Sequence, residues 1–163
     1  AVRIGVVSDT HNQLSNVARI VELLNRAGVE RVVHTGDITQ AKTLEVLARL
    51  DAPLCGVFGN NDAGERAALE AAAARYAMTL CDPPLELVWA ERRIVVVHDP
   101  RDLGTARGAM HEVALHGHTH RRAIERSGGR LVFNPGECAG HVAGQNAVGV
   151  VDLVTLETEI LLF

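Results

Sequence analysis

Seven side chains able to hold metal ions occur along the chain in short clusters: Asp9 and His11, Asp37, Asn60, His98, and the pair His118 and His120. Four imidazoles, two carboxylates and one amide oxygen form a borderline-to-hard donor set with no thiolate. That set suits Mn, Fe, Zn, Ni or Co, and suits a lone Mg or Ca less well. Seven donors are too many for one tetrahedral ion. They fit two divalent ions sharing a carboxylate, which at about 3.5–4 Å apart clamp a phosphoryl group between them. Taken singly the clusters say little: an Asp-x-His pair arises by chance, Gly36-Asp37 reads as a turn, and a lone His98 reads as a core histidine. Gly117-His118-Thr119-His120 is more specific, because alternating histidines at a strand end are costly to bury for packing alone.

The elements between these clusters give them a common location. Residues 2–7 are a short β-branched run, followed by Val17, Ile20, Val21 and Leu24 at helical spacing, with Ser15 a candidate N-cap and Gly28 a candidate C′ residue. Residues 32–33 predict a second strand, 41–50 a second helix, 54–58 a third strand, and the Ala-rich stretch 65–75 a third helix. Repeated β/α units imply a parallel sheet covered on both faces. The second half is rich in strand patterns: a hairpin from 85–89 and 93–97 across residues 90–92, a short helix near 103–110, then strands at 113–115, 122–125, 131–133, 147–153 and 157–162, with Ser127, Gly128 and Gly129 as a turn. Neither a repeat nor a linker interrupts the chain. The expectation is a single domain over residues 1–163 made of two sheets covered by helices. Each cluster of candidate ligands then falls just beyond the carboxyl end of a strand, where open α/β sheets place their ligand sites.

Bulk properties narrow the partners. A chain of 163 residues buries roughly 70% of its unfolded surface and needs no disulfide support. Cys55, Cys81 and Cys138 are odd in number and widely spaced, and read as buried free thiols rather than a zinc knuckle or a disulfide framework. The net charge of -4 argues against general electrostatic binding of nucleic acid, which needs a basic stripe. The N-terminal apolar run is too short for a signal-peptide core, and no stretch nears the ~18 apolar residues of a membrane helix, so the sequence reads as cytoplasmic and without membrane contact. A homo-oligomer is compatible with it.

The ordered motifs Asp9-x-His11, Gly36-Asp37, Gly59-Asn60-Asn61-Asp62, His98 and Gly117-His118-Thr119-His120 resemble the calcineurin-like metallophosphoesterase superfamily, and the compact size is similar to its small bacterial and archaeal phosphodiesterase branch. The resemblance runs from Asp9 to Asn134-Pro135-Gly136. It implies an α/β (α+β) fold, a four-layer αββα sandwich with two central mixed sheets flanked by helices. It further implies that Asp9, His11, Asp37 and His120 hold one metal ion, that Asp37, Asn60, His98 and His118 hold the other, and that Asp37 bridges them. Two divalent ions, with Mn the first choice, keep the centre cationic against the two carboxylates and so reverse the acidic global charge locally. They also lower the pKa of a bound water from about 15.7 to roughly 7, giving a hydroxide that attacks phosphorus while the ions stabilise the developing oxyanion. The expected activity is metal-dependent hydrolysis of a small phosphate ester, with Asn61, Asp37 and His118 as candidate catalytic residues.

Three positions depart from the pattern. Asn61 stands where many members have a histidine that protonates the leaving group or steadies the phosphoryl oxygen; an amide donates a hydrogen bond but no proton, which ranks diesters above alkyl monoesters. Asp99 and Pro100 follow His98 where glycine is common, and a carboxylate there repels substrate unless it faces away. Glu137 follows Asn134-Pro135-Gly136 where small hydroxyl residues are usual. His34 and His116 read as supporting or packing residues, and His111 and His141 as surface or loop residues. The competing reading is a non-catalytic interaction scaffold, because the superfamily includes a retromer subunit that uses the same fold in that way.

Overall fold

Strand β1 (Arg3–Val7) is fully buried over its last four residues because it lies inside a sheet covered on both faces. Its side chains split by the period-2 rule of a strand. Ile4 and Val6 face a second sheet, while Gly5 lies under helix α1 (Leu14–Ala27) so closely that an added Cβ would come 2.9 Å from Leu24 Cδ2. These features belong to a computed structural model that describes residues 2–11, 13–103, 111–140 and 144–163.

The remaining elements follow in the order β2 (Arg31–His34), α2 (Ala41–Leu47), β3 (Leu54–Val57), α3 (Arg66–Arg75), β4 (Thr79–Cys81), β5 (Leu85–Trp89), β6 (Arg92–Val96), β7 (Val113–Leu115), β8 (Ala123–Ser127), β9 (Arg130–Asn134), β10 (Ala147–Asp152) and β11 (Thr158–Leu162). One sheet has the order β11-β10-β1-β2-β3-β4 and the other β5-β6-β7-β9-β8. Both are mixed. In the first, β1 to β4 and β11 run in one sense and β10 runs antiparallel between β1 and β11; in the second, β6, β7 and β9 are parallel with antiparallel edges β5 and β8.

Three apolar layers hold this arrangement. Val17, Ile20 and Leu24 of α1, Leu44 and Leu47 of α2, and Leu69 of α3 pack on one face of the first sheet. Ile4, Val6, Val33, Val57, Ile94, Val96, Leu115, Leu131 and Phe133 fill the space between the sheets. On the outer face of the second sheet, Val95, Val97 and Ala114 gather around Leu103. The helix expected near residues 103–110 would cover this face; beyond Leu103 it lies outside the described residues.

Local chemistry sets several boundaries. Gly28 ends α1 at φ 66° and ψ 34°, and its N–H donates to the carbonyls of Leu24 and Asn25, as expected for a left-handed cap. Ser15 is not the N-cap: α1 begins at Leu14 with Gln13 at the cap, whose carbonyl accepts from Val17 N at 3.0 Å, and Ser15 lies within the first turn. Strand β4 was absent from the sequence expectation. The β8–β9 hairpin turns on Gly128 and Gly129, both at positive φ, which matches the right-handed strand twist. All three cysteines are free, Cys138 fully buried and Cys55 and Cys81 half-buried; burial pushes the Cys138 thiol up to about 12. Among the described residues no helix is long and apolar enough to cross a membrane.

Candidate metal centre

The parallel strands of both sheets deliver their carboxyl ends to one place. The loops after β1, β2 and β3 bring Asp9, His11, Asp37 and Asn60, and those after β6 and β7 bring His98, His118 and His120. All seven expected ligands therefore meet, from sequence positions more than a hundred residues apart.

They form two adjoining groups. Ligand atoms of Asp9, His11, Asp37 and His120 all lie within 4.8 Å of one another. His120 Nε2 is 3.5 Å from Asp9 Oδ1, and His11 Nε2 is 3.8 Å from Asp37 Oδ2. In the second group His98 Nε2 lies 2.8 Å from Asn60 Oδ1 and 3.4 Å from Asp37 Oδ2, and His118 Nδ1 lies 3.1 Å from Asn60 Oδ1 and 3.2 Å from His98 Nε2. Asp37 is the carboxylate common to both.

The donors fit divalent ions. Asp9 Oδ1 and His11 Nε2 are buried and have no hydrogen-bond partner, an arrangement that costs free energy unless something else satisfies them. The other oxygen of Asp9 accepts from Ser8 Oγ and from the N–H of His118 at 3.0 Å, which aims Oδ1 inward. His98 Nδ1 faces the Thr35 carbonyl at 2.9 Å and so must carry a proton, and the ring turns Nε2 toward Asn60 and Asp37. Burial opposes ionising the Asp37 carboxyl, yet the hydrogen bond with His98 and the N–H of Asn61 outweigh it and hold the carboxyl well below its usual range. His98 mirrors this: burial disfavours its charged form, and Asp37 overrides burial to raise it.

Backbone strain is concentrated here. Asp9, His11, Asp37, Thr39, His118 and His120 all have φ between 45° and 71°, a region that costs an L residue roughly 1–2 kcal/mol each. Such conformations persist where surroundings over-determine them. Cross-loop bonds do so: Asp9 N to Gly36 O at 3.2 Å, His11 N to Asp37 O at 3.0 Å, and Gly117 N to His98 O at 3.0 Å. Gly117 lets the loops close, since a Cβ there would lie 2.8 Å from Asp9 Oδ2 and 2.6 Å from Thr35 Oγ1.

Further residues complete the site, and one of them, Asp62, was not singled out by the sequence. Asp62, fully buried, accepts from Asp37 N at 3.0 Å, Thr39 N at 2.7 Å and Gly59 N at 2.8 Å, and so joins the loops after β2 and β3. Its place at the end of Gly59-Asn60-Asn61-Asp62 was the available signal. Asn61 turns its amide to Asp37 Oδ2 at 2.9 Å and its N–H to Asp37 Oδ1 at 3.0 Å. Asp99 has extended backbone, as Pro100 dictates, and its carboxylate is gripped by Arg101 through contacts of 2.6 to 3.1 Å, which drive its pKa down to about 2. The expected repulsion of an anion is thereby offset. His34 supports the Gly36 loop. His111 lies in a loop, as expected, but is buried rather than at the surface, with Nε2 2.9 Å from Glu86. His141 lies outside the described residues.

Beside the second group opens a cavity of about 360 Å³, reached past Asn60 and His98 and walled by Phe58, Arg66 and Pro83. A two-sheet sandwich with an oxygen- and nitrogen-rich candidate metal site at its strand ends defines the class. The chain belongs to the calcineurin-like phosphoesterase superfamily, whose domain model matches residues 2–158. It is 32% identical over 155 residues to Phosphodiesterase MJ0936 of Methanocaldococcus jannaschii, covering 93% of each chain. A solved archaeal phosphodiesterase superposes with a TM-score of 0.89 at 30% identity over 99% of both chains. YfcE, a phosphoesterase from E. coli, does so at 0.73 and 20% identity over 98% of both, a likeness of fold.

Proposed function

We propose that the protein hydrolyses small phosphodiesters at a centre of two divalent ions, Mn foremost, with Asp9, His11, Asp37 and His120 holding one ion and Asp37, Asn60, His98 and His118 the other. The observation that carries this reading is the pair of buried, unpartnered atoms Asp9 Oδ1 and His11 Nε2 facing Asp37 and His120, since a divalent cation would satisfy a buried carboxylate oxygen and an imidazole nitrogen at once. When bound, the ions would supply a nucleophile from water near neutral pH and neutralise charge gathering on the phosphoryl oxygens.

The protein's own groups do the rest. Asp37 is kept ionised by His98 and Asn61 and presents a permanent negative charge between the two groups. His118, partly exposed at the rim, is within reach of an entering phosphoryl oxygen. Asn61 can donate a hydrogen bond but no proton, which favours esters with good leaving groups and diesters above monoesters. The neighbouring cavity of about 360 Å³ accommodates a small alcohol portion. The 32% identical relative bearing the name phosphodiesterase supports the same ranking.

The test is elemental analysis of Mn-loaded protein combined with hydrolysis of aryl phosphate diester and monoester. Two ions per chain, faster diester turnover, and loss of about a thousandfold or more in Asp37→Ala are expected. Full metal occupancy with no turnover of any phosphate ester would replace the enzyme by an interaction scaffold of the same fold.

A further inference from the structure

Glu137, the residue that departs from the family pattern after Asn134-Pro135-Gly136, lies against the last of the candidate ligands. Its Oε2 is 2.8 Å from His120 Nδ1. A carboxylate only accepts, so Nδ1 must carry the proton, and the lone pair is left on Nε2, the atom that faces the unpartnered Asp9 Oδ1 at 3.5 Å. We infer that Glu137 is the positioning residue of the centre: it fixes the tautomer and ring orientation of His120 so that Nε2 is presented to the ion shared with Asp9, His11 and Asp37. This inference rests on the metal-centre reading above.

The surroundings suit the role. His120 is at φ 60° on an exposed loop, with its side chain 39% exposed, so its own packing does little to orient the ring. Glu137 sits on firmer ground. Its carbonyl accepts from Ala147 N at 3.1 Å at the start of β10, and the next residue, Cys138, is fully buried. The two loops are also stitched together, for Asn134 Oδ1 accepts from Gly136 N at 3.0 Å while Asn134 Nδ2 reaches Thr119 Oγ1 at 3.2 Å. The carboxylate is thus carried by the sheet, and the histidine is oriented by the carboxylate. Among the described residues His118 lacks an equivalent grip: Asp99 Oδ2 is 3.8 Å from its Nε2, beyond hydrogen-bonding distance, and is engaged by Arg101. Loss of an outer carboxylate of this kind lowers metal affinity by about 10–100-fold.

The experiment compares wild type, Glu137→Gln and Glu137→Ala by Mn titration calorimetry, and reads the His120 ring tautomer by nitrogen-15 NMR on metal-free protein, where no ion on Nε2 dictates it. Glu137→Ala should weaken the affected ion by about 10-fold or more and leave Nδ1 no longer held as the protonated nitrogen, while Glu137→Gln, which still accepts from Nδ1–H, should recover part of the affinity. The metal-free melting temperature should move by no more than about 2 °C, because the pair is exposed. Mn affinity in Glu137→Ala within about threefold of wild type, or an unchanged tautomer, would overturn the assignment. The two readings fail separately: a wild type that binds both ions without hydrolysing any ester defeats the enzyme but leaves the Glu137 effect on titration intact, and the converse holds for an active enzyme indifferent to Glu137.

Discussion

His34 is a buried histidine whose hydrogen bonds leave room for one protonation state only. The N–H of Gly36 donates to its Nδ1 at 3.0 Å, so the ring proton sits on Nε2 and faces Thr10 Oγ1 at 3.0 Å. Burial, reinforced by the charge of His98, pushes its pKa from 6.5 down to about 3. The unfolded chain then binds a proton below 6.5 that the folded chain refuses. The stability held by the neutral ring is complete above pH 6.5 and is lost as pH falls from there toward 3, at up to about 1.4 kcal/mol per unit. In urea unfolding of metal-free protein, His34→Asn, which keeps an acceptor but does not titrate, should be less stable than wild type at pH 7, with the gap narrowing by about 2 kcal/mol at pH 5. A gap constant with pH would refute the account. At this scale the sequence was most legible where chemistry is scarce: Asp9, His11, Asp37, Asn60, His98, His118 and His120 could be picked out because few other roles suit such donors beyond strand ends. Asp62 and Glu137 escaped notice as partners, since an acceptor of backbone N–H groups or a carboxylate behind a histidine is defined by distances the linear order does not contain.

Elements read from sequence in proportion to how local their causes are. Strands β1, β3, β7 and β10 are runs of β-branched or apolar residues, and α1 carries Val17, Ile20, Val21 and Leu24 on one face, so their patterns were visible. Strand β4 was not. Its three residues are at most half-buried, and it exists through parallel pairing with β3, where Cys55 faces Thr79 and Val57 faces Cys81. The start of α1 was misplaced for a similar reason: Gln13 makes no side-chain cap, and the incoming loop is held instead by Thr43 Oγ1 donating to the carbonyl of His11 at 3.0 Å. The tight seat of α1 on β1 is testable. An alanine methyl at Gly5 would press on Leu24, at 2.9 and 3.1 Å from its two Cδ atoms, and so should destabilise by about 1–3 kcal/mol. Leu24→Ala should cost about 2–5 kcal/mol through the cavity it leaves. Together the new methyl enters the vacated space, and the double variant should fall short of the sum by about 1 kcal/mol or more. Strict additivity in denaturant unfolding would mean that the helix does not pack on Gly5 in this way.

At the scale of the whole molecule, the centre is shared between the sheets. Asp9, His11, Asp37 and Asn60 come from the first sheet, and His98, His118 and His120 from the second, above the apolar layer in which Ile4, Val6 and Val57 meet Val96, Leu115 and Phe133. Ions bound there would tie the two sheets at their strand ends as that layer ties them along their faces. Either sheet alone would lose both its inner apolar face and its share of the ligands, so the chain should unfold as one cooperative unit. Any ion that binds only the folded form adds RT ln(1 + [L]/Kd), about 2.7 kcal/mol at a hundred times Kd. For a chain of this length that corresponds to a rise in Tm of roughly 5–10 °C. Calorimetry should therefore show one transition in EDTA that moves upward as one transition with Mn, and His120→Ala, which removes a ligand while leaving all three apolar layers untouched, should keep the EDTA value and lose part of the Mn-induced rise. Two separable transitions, of which Mn shifts only one, would mean that the sheets fold independently and that the ligands do not span them.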